Sequence, residues 1–239
     1  MASMFEILMN LPLFRGVSHE KLAQVVGEAK FHFLKYPAGE LVVREGESCT
    51  HIAFVISGAV RTTIENSTGR FAVSQTLTAP AVIAPQFLFG RKTAYPGTAE
   101  ALEPTGILKI SKNDYINILN SDHVFLFNYL NILSVGAQTS MTGLMSLTSG
   151  SIDERIAYWI VALTQSGGKD IKLTCRKRDL CSLFGSQRAT FENALSSMKD
   201  RGLIDYTNKE LSVLNRSGLL ALLVNNAETR EDEPDIFTE

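Results

Sequence analysis

Residues 173–204 read LTCRKRDLCSLFGSQRATFENALSSMKDRGLI. The stretch has the layout of a helix-turn-helix: a short helix, a turn carrying Gly185, a second helix, then Gly202 and a strand. Leu180, Cys181, Phe184, Phe191, Ala194, Leu195 and Met198 fall at helical spacing and form the small core that would hold two helices at a fixed angle. Cys181 stands where close helix approach needs a small residue. Gly185 supplies the turn, and Ser186 is expected to cap the second helix. That second helix is sized to enter a DNA major groove.

Once the core positions are assigned, Gln187, Arg188, Thr190 and Asn193 remain at the helix start and on its outward face. Their donors and acceptors suit base edges: Arg pairs with guanine, Asn or Gln with adenine. Arg176, Lys177, Lys199 and Arg201, with the Ser186 hydroxyl, are assigned to phosphate contact. The alternative for each is an ordinary solvated helix face. Cap, turn and core spacing agree with one another, which favours the DNA-reading interpretation for the set.

The charge distribution points the same way. The 239-residue chain has a net charge of −2, against indiscriminate nucleic-acid binding. Residues 1–150 hold 11 basic and 11 acidic side chains, residues 151–227 hold 11 and 8, and residues 228–239 hold 1 and 6. The basic excess therefore surrounds the helix-turn-helix, where phosphates would lie. Hydrophobic content of 45% and charged content of 20% are ordinary for a globular protein with a real core. No apolar run reaches membrane-spanning length, and no basic residue precedes Arg15, so neither a membrane span nor a secretory signal is expected. A cytoplasmic location follows as the expectation. Cys49, Cys175 and Cys181 are odd in number and irregular in spacing, unlike a disulfide framework.

Upstream, residues 5–9 and 18–29 read as short helices, the second capped by Ser18 with Leu22, Val25 and Val26 on one face. From Phe31 the texture changes to short apolar runs at 31–36, 41–43, 52–56, 60–64, 71–77, 81–83, 98–102 and 107–110, separated by Gly, Pro and Asn turns. This spacing predicts an antiparallel sandwich or barrel. Ser111 opens a helix, and a long apolar helix follows over about 122–147. It is apolar on more than one face, so it is expected to pack on its own barrel and on a partner subunit. Residues 148–150 form the best boundary. Ser151 and Glu154 then make a capping box for a helix over 152–164. A strand near Ile171 precedes the helix-turn-helix. Residues 203–206 and 211–214 form a hairpin wing, 217–224 a terminal helix, and the acidic tail from Glu228 has little apolar content.

The order of these elements resembles the cyclic-AMP receptor / fumarate-nitrate reduction regulator (CRP/FNR) family over nearly the whole chain. LPLFRGVSHEKL resembles the family's opening helices. PAGELVVREGES and HIAFVISGAVR resemble its β-roll, with Gly39, Gly46 and Gly58 at the expected turns. The resemblance implies an α+β fold: an N-terminal cyclic-nucleotide-binding-like β-roll (a double-stranded β-helix), a long dimerisation helix and a C-terminal winged helix-turn-helix. The corresponding segments are 1–120, 121–150 and 151–227, with 228–239 as tail. It also implies a homodimer on a pseudo-palindromic double-stranded DNA operator, and contact with RNA polymerase through loops such as residues 166–170.

Two departures stand out. The family's recognition helix often carries Arg-Glu and, four residues on, Arg. Here Arg188 matches the first, but Ala189 and Asn193 replace the others, so a different preferred site is expected. Cyclic-nucleotide binders hold ribose with Gly-Glu and phosphate with Arg-Ser/Thr. Here Ala84-Pro85-Gln86 and Pro96-Gly97-Thr98 stand in those places. A cyclic phosphate would lack its bidentate cation, so cyclic AMP is not expected and any other effector is undetermined. Gln86, Phe87, Arg91, Thr98 and Ser140 are candidate pocket residues; Phe87, Leu88 and Phe89 could line a more apolar pocket, but filling the roll is the favoured reading for them.

Other classes fit less well. A cupin-type enzyme needs clustered His and carboxylate ligands, whereas His19, His32, His51 and His123 are scattered with no H-x-H pair. G-x-S-x-G, P-loop and H-E-x-x-H are absent, so no catalytic residue, metal site or cofactor is assigned. A regulatory module using the winged domain only for protein contacts stays open as the alternative, with the basic residues 176–178 and Arg188 against it.

Overall fold

The computed structural model describes residues 4–148 and 150–230. Contacts divide the chain into two compact units. One is Met1–Glu65 with Ser74–Gly136 and Gly167–Lys169; the other is Asn66–Val73 with Ala137–Ser166 and Asp170–Glu239.

The first unit opens with α1 (Met4–Asn10), a 3-10 turn (Pro12–Phe14) and α2 (His19–Glu28). The Ser18 hydroxyl caps α2 by accepting from the Lys21 amide at 3.2 Å. Eight strands follow: β1 (Phe31–Tyr36), β2 (Leu41–Val43), β3 (His51–Ser57), β4 (Ala59–Glu65), β5 (Ala72–Thr78), β6 (Ala81–Ile83), β7 (Thr98–Ala101) and β8 (Thr105–Ser111). β1, β8, β3 and β6 lie in that order in one antiparallel sheet, and β5, β4, β7 and β2 in another. In β3, four successive residues, Ile52, Ala53, Phe54 and Val55, are buried. Both its faces are therefore covered, which places it at the centre of the roll. Every residue of β1 from His32 to Lys35 is exposed, as befits an edge.

Ser111 caps α3 (Lys112–Ser121), accepting from the Asp114 amide at 3.1 Å and donating to the Asp114 carboxylate at 2.7 Å. Next comes α4 (His123–Met145), 23 residues and about 34 Å long. Its Phe125 and Tyr129 are buried, with Phe125 edge-on to Phe14 at 5.6 Å. The Asn128 amide donates to the carbonyls of Leu13 and Arg15. In the same stretch Leu126, Phe127 and Leu130 are exposed, Phe127 and Leu130 on the side away from Phe125 and Tyr129.

The second unit contains α5 (Ile152–Leu163), β9 (Lys169–Thr174), α6 (Lys177–Leu183), α7 (Arg188–Asp200), β10 (Ile204–Tyr206), β11 (Glu210–Val213) and α8 (Arg216–Arg230). The capping box at Ser151 and Glu154 is present. β10, β11 and β9 pair antiparallel, with Ile204 opposite Val213 and Leu211 opposite Leu173. The core gathers Ile156, Ile160, Leu173, Phe184, Phe191, Leu195, Met198 and Leu219.

The terminal helix departs from the expected 217–224: it continues to Arg230 and takes in the first residues of the expected tail. No Gly or Pro lies between Leu219 and Pro234, so nothing local stops it. The rest of the acidic tail, 231–239, and Ser149 of the expected boundary lie outside the described residues. The observed architecture is the α+β arrangement expected: a β-roll, a long helix and a winged helix-turn-helix.

Candidate nucleic-acid interface

The turn of the helix-turn-helix is packed from three helices. The Phe184 ring stacks on Phe191 of α7 at 6.1 Å and receives Trp159 of α5 edge-on at 5.6 Å. Gly185 has φ +58°, a left-handed conformation that a residue with a Cβ adopts only at a cost. The Cys181 thiol donates to the Ser186 carbonyl at 3.3 Å, closing the turn from within.

Ser186 does not cap α7. The helix starts at Arg188, and Gln187 is the capping position, extended at φ −66°, ψ 145° and without a side-chain cap bond. Ser186 therefore sits one residue too early for its hydroxyl to reach the first-turn amides; it donates to the Gln187 carbonyl at 3.2 Å instead. The start of α7 keeps amides that suit a phosphate.

Gln187, Arg188, Thr190 and Asn193 are all exposed, while Phe191, Ala194, Leu195 and Met198 of the same helix are buried. The basic side chains are less free than sequence suggested. Arg188 donates through Nε to Glu192 Oε1 at 3.0 Å, and Lys177 Nζ approaches the same oxygen at 3.3 Å. Lys199 pairs with Asp205 at 2.7 Å, and both lysines lie over the Tyr206 ring. The bond from Arg188, then that from Lys177, hold the Glu192 carboxyl below the usual carboxylate range. Lys199 does the same to Asp205. Arg176 stands at the start of α6 and Arg201 at the end of α7, both exposed. Sequence reasoning overlooked Glu192. Its one signal was the four-residue spacing from Arg188.

The five candidate effector residues are differently placed. Gln86 and Arg91 are exposed, Phe87 packs partly buried on the roll core, Thr98 is half-buried on β7, and Ser140 is exposed on α4 in the second unit. Leu88 is completely buried, and Phe89 lies edge-on to Tyr129 at 5.8 Å, so this segment fills the roll. Ala84 holds a left-handed conformation, φ 44°, ψ 51°. At Gly97 even a Cβ would collide with the Thr63 carbonyl of β4. Two surface hollows, of about 190 and 360 Å³, are lined by none of the five. Among the described residues no His, Cys, Asp and Glu cluster is arranged to hold a metal, and no helix is long and apolar enough to cross a membrane.

A sequence profile of the cyclic nucleotide-binding domain matches residues 33–122, and one of the Crp-like helix-turn-helix domain matches residues 154–222. The chain is 24% identical over 193 residues, 77% of each protein, to the transcriptional activator protein FnrA of Stutzerimonas stutzeri. It is 23% identical over 192 residues, 76% of this chain and 84% of the relative, to the cAMP-activated global transcriptional regulator CRP of Haemophilus influenzae. Among solved structures, the Thermus thermophilus catabolite activator protein aligns at 19% identity over 90% of this chain and 99% of its own, with a TM-score of 0.48. The chain belongs to the CRP/FNR family of DNA-binding transcription regulators.

Proposed function

We propose that the chain acts as a homodimer that reads a pseudo-palindromic operator through α7, and that its roll answers to a ligand other than a cyclic nucleotide, or to none. The observation that carries the reading is the start of α7: Gln187, Arg188, Thr190 and Asn193 are exposed together on a helix whose other side is locked in a core. The uncovered apolar side of α4 supports self-association. The close approach of Gly97 to the Thr63 carbonyl supports the effector reading, because no side chain, arginine included, fits at that position. The protein is then a cytoplasmic, non-enzymatic regulator that meets RNA polymerase at the promoter.

Selecting bound sites from random duplex DNA, with and without cell metabolite extract, tests this. The expected product is a two-fold symmetric site whose half-sites lie about 10 base pairs apart, one helical turn. Failure to enrich any site under either condition overturns sequence-specific binding. Cyclic AMP at micromolar concentration is expected to leave the melting temperature unchanged, and a clear rise contradicts the effector reading.

A further inference from the structure

We infer that Glu192 is a positioning residue for DNA specificity: its carboxylate holds the Arg188 guanidinium by one edge and turns the other toward a guanine. The inference rests on the proposal that α7 reads DNA.

The geometry is specific. Glu192 stands one turn beyond Arg188 on α7 and accepts from Nε at 3.0 Å. A guanidinium has five N–H donors in a rigid plane. With Nε engaged, the Nη1 and Nη2 end stays open, and that fork matches guanine O6 and N7. Arg188 is otherwise a long side chain, 86% exposed, with every reason to sample many rotamers. Glu192 is itself restrained, because Lys177 reaches the same oxygen at 3.3 Å from α6. The result is a chain of contacts from the first helix, through the carboxylate, to the reading side chain.

The carboxylate also selects against wrong complexes. Arg188 precedes Glu192, the weaker order for an ion pair along a helix, so helix stability alone is a poor reason for the pair. A negative charge on the face presented to DNA repels phosphate and lowers affinity for arbitrary sequence. Where Arg188 finds its guanine, that penalty is offset by a pre-aligned bidentate contact. A carboxylate at this position also accepts from a neighbouring cytosine amine. Ala189, beside Arg188, offers no polar group for either task.

The test compares full-length wild type, Glu192→Ala, Glu192→Gln and Arg188→Ala. Each is measured on the selected operator, on operators with single substitutions at each half-site guanine, and on random duplex, over a range of salt. Glu192→Ala is expected to narrow discrimination at one guanine about tenfold, to tighten binding to random duplex, and to steepen the salt dependence as Arg188 and Lys177 turn to phosphates. Glu192→Gln, nearly isosteric but uncharged, should show the same changes at smaller size; it carries the comparison if the alanine variant folds poorly. A purely structural role for Glu192 would leave the base preference and salt slope unmoved. If Arg188→Ala loses discrimination while both Glu192 variants keep it, the inference is overturned and the reading helix stands. If Arg188→Ala keeps it too, the assignment of the reading helix fails with it.

Discussion

The Arg155 guanidinium donates through Nη1 to the carbonyl of Phe184 at 3.3 Å, and through Nε to that of Gly150 at 3.2 Å. One side chain of α5 thus ties the residue that ends α6, just before the Gly185 turn, to the start of α5. Charged hydrogen bonds of this kind contribute about 1.5–3 kcal/mol each when buried, and exposure lowers the figure for these two. Arg155→Met, which keeps the aliphatic stem, is expected to cost about 1–2 kcal/mol in denaturant unfolding. It should also weaken operator binding, since the turn sets the angle of α7. Stability within a few tenths of a kcal/mol of wild type would show the anchor to be dispensable.

The exposed side of α4 yields a second prediction. Leu126 is 38% exposed, Phe127 62% and Leu130 46%. A run of this size calls for a covering surface, and a second copy supplies an identical one. Leu130→Glu should shift sedimentation equilibrium to the monomer with little loss of secondary structure by circular dichroism. Loss of the second half-site contact should then lower operator affinity by more than tenfold. A monomeric wild type at micromolar concentration would refute the proposed interface.

Ala84 sits in the left-handed region at φ 44°, where a Cβ crowds the backbone. Glycine removes that strain but adds freedom to the unfolded chain. Ala84→Gly is expected to raise stability by about 0.5–1 kcal/mol, seen as a higher denaturant midpoint at unchanged slope. A destabilised variant would mean that the Ala84 methyl contributes more by packing on the roll core than it loses in strain.

Burial, with a smaller push from Asp179, raises the Cys175 thiol from 9.0 to about 12. In the unfolded chain the thiol ionises near 9.0, while the folded protein keeps the proton up to about 12. Between those values the unfolded state binds fewer protons, so stability falls as pH rises through the window; below it the full contribution is present. Cys175→Ala should flatten the decline. At pH 8 iodoacetamide should spare Cys175 in the native protein and label it in denaturant, as reaction needs the thiolate and access. Rapid native labelling would contradict the burial.

Much of this fold was legible locally. Ser18, Ser111 and Ser151 cap the helices they precede, and the apolar spacing of 180–198 describes the helix-turn-helix core. Caps and periodicity act over a single turn, so a string of residues suffices to read them. One expectation failed where a shift of a single residue changed a role. Ser186 looked like a cap, but Gln187 takes that position.

The order of elements, most helix starts, the helix-turn-helix core and the outward residues of α7 were legible in the chain. All of these follow from backbone periodicity and short-range hydrogen bonds. Tertiary structure alone decided that Arg188 and Lys177 share one carboxylate, that Lys199 is held by Asp205, and that Gly97 has no room for a side chain. Those facts depend on rotamers and on strands or helices meeting in space, where a few tenths of an ångström separate a contact from a collision. The outward face of α7 was therefore visible in the chain, and the tie from Lys177 of α6 to the carboxylate that holds Arg188 was visible only in the fold.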